Sequence, residues 1–223
     1  MIFLDAAFSQ HFAPADLAGA VRDALGKPLR RAAPLTQLAV TGALHAIPPQ
    51  RRALPTALLW QSTSGPRRET LHLLGEMCGG GEPMPYDFLA TQPAIAAAQL
   101  QPLLPGLDCA MHLPLDDEKR AGWSLLLALA CRWLAAGRYA QVLCASLDCW
   151  DEAATGDWLS LSARPLENPL AGLQLSDMQP PDALPDTPDF PARLAGWLAG
   201  DGPAPLVLVS PRAARLTLEF SRL

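Results

Sequence analysis

Apolar positions recur along the chain in two rhythms. Leu35, Leu38, Ala39, Leu44 and Ile47 fall at largely helical spacing, with Pro34 placed for a first turn and Pro48-Pro49 for a stop. A short apolar run follows, Thr56-Ala57-Leu58-Leu59-Trp60, bounded by Pro55 and by Ser62-Thr63-Ser64-Gly65; it reads as a buried strand. The spacing predicts a helix over 67–77, ended by Gly79-Gly80-Gly81, and another over 91–104, ended by Pro105-Gly106, with a strand over 107–113. The clearest helix spans about 121–136: Trp123, Leu126, Leu127, Ala130, Cys131 and Leu134 stripe one face, and Gly137 suits the C-cap. Strands follow at Val142-Leu143-Cys144-Ala145 and Trp158-Leu159-Ser160-Leu161.

From Pro165 to Pro191 seven prolines interrupt the chain and no period survives, which predicts an irregular surface connection. A short helix at 191–199 and two strands, 206–209 and 216–220, in a hairpin-like arrangement, close the sequence. Strands alternating with helices indicate an α/β fold, an α/β/α layered unit with a mixed sheet of about five strands. Two parts are expected: residues 1–164 as the main domain, and 165–223 as a Pro-rich connection, helix and two strands packed on it.

Composition narrows the function classes. A net charge of -5 argues against a nucleic-acid binder. Charged residues are only 17%, below the usual ~25%, so more apolar surface needs cover, as at an oligomer interface. The five cysteines lack CxxC spacing, and several lie in apolar runs; they read as reduced, buried thiols of a cytoplasmic protein, with no zinc site. The longest apolar stretch, Leu125 to Cys131, is too short to span a bilayer.

Candidate chemistry is sparse. Gly79-Gly80-Gly81 lacks the Gly-Lys-Ser/Thr of a phosphate loop, and no GxSxG elbow occurs. Ser62 to Gly65 lies between a strand and a helix, where a hydroxyl could cap the helix. The four histidines are scattered. Asp116-Asp117-Glu118 at a helix start offsets the helix dipole. Ser64 and Cys109 are the candidate nucleophiles of a stand-alone acyl-transfer or hydrolytic enzyme, though neither has a visible base. No cofactor or metal motif is present.

Several segments in order carry a family resemblance. Arg31-Ala32-Ala33-Pro34-Leu35-Thr36-Gln37-Leu38-Ala39 looks like the helix before a second core strand. Leu58 to Gly65 with Glu69 to Leu74 looks like the strand, loop and helix after it. Pro85-Tyr86-Asp87-Phe88-Leu89-Ala90-Thr91-Gln92-Pro93-Ala94 matches a Pro-x-x-Phe-Ser-x-Ser-Val-His-Asn-Ala segment in spacing, without its Ser, His and Asn. Leu126 to Asp148 completes the set. Together they resemble the N-terminal half of a ketosynthase of the thiolase superfamily. The nearest type is the shortened, chain-length-factor-like subunits of aryl polyene and other type II polyketide systems.

That resemblance implies a degenerate partner subunit. An active ketosynthase places a nucleophilic Cys at the N-terminus of the helix that here begins near Ala121. Alignment from either side puts that position within Glu118, Lys119 and Arg120, none of them Cys. The family's remaining catalytic residues belong to a C-terminal half for which the sequence lacks room. Decarboxylative condensation needs an acyl-bearing thiol and oxyanion donors, so the implied role is non-catalytic. The chain would form a heterodimer with an active β-ketoacyl-ACP synthase and shape its acyl tunnel, or simply stabilise it. Tyr86, Phe88 and Gln92 would lie at the partner interface and acyl pocket, and the strand over 107–113 would pair near the same axis. An ordinary core role for Phe88 is the alternative. Because carrier proteins are acidic and this chain is net negative, the acyl carrier protein would dock mainly on the partner. Arg67-Arg68 and Lys119-Arg120 are the local exceptions.

Overall fold

The computed structural model describes residues 1–115, 121–166, 168–176, 180–200, 204–210 and 216–223. Its strands form one mixed sheet. The first five are β1 (Ile2–Phe12), β2 (Thr56–Ser62), β3 (Leu107–Pro114), β4 (Gln141–Cys149) and β5 (Ala154–Ser162). The rest are β6 (Ala171–Ser176), β7 (Leu184–Pro185), β8 (Leu206–Val209) and β9 (Thr217–Ser221). Their order is β3-β2-β4-β5-β1-β6-β9-β8-β7. β2 runs parallel to β3 and β4, and antiparallel pairing then carries the sheet from β4 through β5 and β1 to β6.

Helices cover both faces. On one side lie α1 (Leu17–Leu25), α2 (Pro34–Ala46) and α5 (Ala94–Leu100); on the other, α6 (Trp123–Ala135) and α7 (Phe190–Ala199). α3 (Arg67–Cys78) and α4 (Pro85–Ala90) pack on each other. The alternation along the strands divides the core. Ala57 and Leu59 of β2, with Val142 and Cys144 of β4, meet α6; Leu58, Trp60, Leu143 and Ala145 belong to the α2 side. Both faces of these strands are buried, which is why they read as continuous apolar runs. Helix α2 is buried over most of its surface, and Gly42 permits this: a Cβ there would lie 2.1 Å from the Trp158 ring.

The α/β layering matches expectation, but the sheet has nine strands among the described residues where about five were expected. Three of them, β1, β6 and β7, lay in segments that read otherwise or gave a weak signal, while β8 and β9 fall where the two closing strands were expected. β1 has a bulge between Leu4 and Ala6. Ile2 and Leu4 join the α6-side core, whereas Phe8 and Phe12 pack on the α2 side. The bulge thus moves even-numbered positions from one face to the other, which breaks the period of two. α1 was likewise not anticipated. β6 and β7 form inside the proline-rich stretch, where β6 is held by β1 and β9. The helix expected over 91–104 is shorter, Ala94–Leu100 with Pro93 at its N-cap, and α4, which Pro85 begins, was not anticipated. No helix among the described residues is long and apolar enough to cross a membrane.

Candidate functional site

The N-terminus of α6 is the place where the resemblance expects chemistry. Glu118, Lys119 and Arg120 lie outside the described residues. The helix entry itself is described from Ala121, and the amides of Gly122, Trp123 and Ser124 are engaged within the chain. Asp186, which follows β7, reaches back to accept hydrogen bonds from the amides of Trp123 (3.1 Å) and Ser124 (2.9 Å) and from the Ser124 hydroxyl (2.5 Å). The Gly122 amide donates to Gln61 Oε1 at 2.7 Å. Gly122 leaves room for this approach, since a Cβ would come within 2.9 Å of the same oxygen. The helix has no cap from its own flanking residues, so a carboxylate about sixty positions downstream supplies one.

Asp186 is 6% exposed, and its segment is pinned by Phe190, which packs between Trp123 and Phe220. A helix end that binds a carboxylate this way has the amides of Trp123 and Ser124 already occupied and its dipole opposed by a negative charge. Beside it, Gln61, Thr63, Ser146, Asp148, Trp150 and Pro188 line a small cavity of about 170 Å³. Asp148 Oδ1 accepts from the Ser62 hydroxyl and from the amides of Thr63 and Ser64 (2.8 and 2.6 Å), fixing the turn after β2.

The alternative nucleophiles are built into structure. The Ser64 hydroxyl is buried, lies 3.4 Å from the Ser62 hydroxyl, and accepts the Cys149 amide at 2.9 Å. No histidine hydrogen-bonds it among the described residues. Ser62 and Ser64 serve the turn and leave α3 without a side-chain cap, contrary to the helix-capping expectation. Cys109 is half-buried on β3 and packs against the α6-side core. His112 sits on the same strand against the Trp60 ring, 4.2 Å between centroids; its Nε2 is buried without a hydrogen-bond partner, and burial lowers its pKa. Burial raises the thiols of Cys131 and Cys149 to about 12 and about 11, and that of Cys144 well above its usual range. Such thiols are inert at neutral pH. Among the described residues no cluster could hold a metal ion.

Tyr86, Phe88 and Gln92 come together on and just after α4. Phe88 is 58% exposed and α4 buries none of its residues, so Phe88 is not a core residue of the isolated chain. Gln92 is exposed and donates to Thr91 Oγ1. Tyr86 lies under the Arg31 guanidinium, 5.5 Å from its ring centroid, and both line a cleft of about 500 Å³ with Arg68, Glu69 and His72. Arg31 is the one non-glycine residue with positive φ among those described (54°). Burial raises the Glu69 pKa. Among the described residues, seven of the fourteen exposed large hydrophobics lie between residues 71 and 89, on α3, α4 and their connection. Among the described residues β3 pairs only with β2, so its other edge is open there, and Met111 is 40% exposed.

Sequence reasoning missed Asp186 and Gln61 as partners of the α6 amides, because no local spacing ties either residue to them.

No protein-family profile and no curated protein matches the sequence. Solved structures match the fold. A chain of the complex of the ketosynthase ApeO with its chain length factor ApeC from Xenorhabdus doucetiae superposes with a TM-score of 0.55 at 15% identity, over 99% of this chain and 99% of that one. The ishigamide ketosynthase/chain length factor gives a TM-score of 0.56 at 14% identity, over 79% of this chain and 68% of that one. At such identities the likeness is one of fold: a thiolase-like α/β architecture of ketosynthase type.

Proposed function

We propose, from a fold shared with ketosynthase and chain-length-factor chains, that this chain is a non-catalytic subunit. It pairs with an active β-ketoacyl-ACP synthase and shapes that partner's acyl tunnel during polyene or polyketide elongation. The observation that carries the reading is the uncovered face. An open sheet edge at β3 and an exposed apolar surface on α3 and α4 are a combination that isolated proteins avoid, because such an edge templates pairing. Two further observations support it. The amides of Gly122, Trp123 and Ser124 are taken by Gln61 and Asp186, and Glu118, Lys119 and Arg120 offer no thiol. A partner strand on β3 would satisfy the free backbone groups and cover Met111, while Phe88 would reach across to end the partner's acyl cavity. Large apolar interfaces of obligate pairs bury on the order of 2,000 Å² or more. The acyl carrier protein, being acidic, docks mainly on the partner.

The test is intact-protein mass spectrometry of the assembled pair after loading with an acyl carrier protein, together with product analysis of Phe88→Ala. Acyl groups are expected on the partner alone, and longer or more dispersed products from Phe88→Ala with the pair intact. Stable acylation of this chain, lost on Cys109→Ala or Ser64→Ala, would overturn the non-catalytic role. An unchanged product profile with the pair intact would reduce the role to structural support.

A further inference from the structure

At the opposite end of the strands from the α6 entry, Leu54, Ala140, Ala163, Pro165 and Leu166 form a mainly apolar cavity of about 420 Å³. Arg51 and Arg164 also line it, and no Asp or Glu does among the described residues. Arg51 is held in place. Its carbonyl accepts from Gln141 Nε2 at 2.9 Å, and its guanidinium pairs with Asp5 at 3.2 Å. Asp5 stands at the β1 bulge with its side chain fully buried, and its second oxygen accepts the Leu166 amide at 3.0 Å. The Arg51 side chain is itself only 11% exposed.

A guanidinium carries five N–H donors, and this one makes a single hydrogen bond among the described residues. None of its other donors is a buried unpaired atom, so they remain open to an acceptor entering the cavity. Its planar fork matches a carboxylate. Arg164 is exposed at the rim and adds a second positive charge. The volume lies within the range of small-ligand sites.

We propose that this cavity binds an aliphatic carboxylate, its head on Arg51 and Arg164 and its alkyl chain along Leu54, Ala140 and Ala163. The site is independent of the pairing surface and of the reading above. The probe is octanoate, titrated into the full chain by calorimetry, with acetate, octanol and octylamine as comparisons. Octanoate is expected to bind saturably and at least about tenfold tighter than each of the three, since both head and tail are needed. Two exposed-residue variants locate it. Arg164→Gln removes a cation, and Leu54→Asp sets a like charge in the cavity; each is expected to weaken octanoate by about tenfold or more while leaving the unfolding midpoint near that of the parent. Absent saturation, octylamine binding as well as octanoate, or octanoate affinity unchanged in both variants would each overturn the proposal.

Discussion

Replacing Asp186 by Ala tests the α6 entry quantitatively. The substitution leaves the amides of Trp123 and Ser124 and the Ser124 hydroxyl without their acceptor, at a position 6% exposed. A buried donor left unsatisfied costs about 1–3 kcal/mol, and an anion at a partly buried helix N-terminus contributes up to ~2 kcal/mol. The neighbouring cavity of about 170 Å³ can admit water, which recovers part of that. A net loss of about 3 kcal/mol follows, a large share of the ~5–15 kcal/mol typical of whole domains. Asp186→Asn keeps one acceptor and loses the charge, so about half that loss is expected. Equilibrium urea unfolding of the three proteins measures both values, provided the slope is unchanged. A loss below about 1 kcal/mol for Asp186→Ala, or equal losses for Ala and Asn, would refute the claim that a buried carboxylate holds this helix end.

Two further predictions concern titration. Burial raises the thiols of Cys131, Cys144 and Cys149, so iodoacetamide at pH 8 should modify exposed Cys78 and spare those three until denaturant is added; labelling of any of them at the Cys78 rate in native protein would contradict their burial. The His112 pKa is lowered by burial, against a smaller raising effect of Asp148; as pH falls below about 6.5 the unfolded chain takes the proton first, so stability should fall from there down to the folded pKa, and His112→Gln should show a shallower decline in urea midpoint between pH 7.5 and 5.5. Parallel declines in the two proteins would remove His112 as the cause.

Legibility in the sequence followed burial. β2 and β4 are apolar on both faces, and α6 carries an unbroken stripe, so all three were visible from local pattern. β1 was not, because the bulge at Asp5 swaps the faces of its apolar positions halfway along. β6 and β7 were hidden by flanking prolines and owe their form to pairing with β1, β9 and β8, which local propensity does not encode. Phe88 was singled out by the family resemblance of its segment, but whether it was core or surface needed the structure. Asp186 could not be singled out: its role depends on a contact with Ser124, 62 positions away, and the surrounding proline-rich stretch gives no period.

The most direct test of a pairing subunit is the mass of the complex. The chain should be co-expressed with a candidate ketosynthase and the purified product examined by native mass spectrometry, alongside a Met111→Lys variant at the open β3 edge. A complex with equal numbers of the two chains, lost or strongly weakened by Met111→Lys while the variant chain stays folded, is the predicted result. A monomeric chain beside a ketosynthase that assembles only with itself would contradict the account.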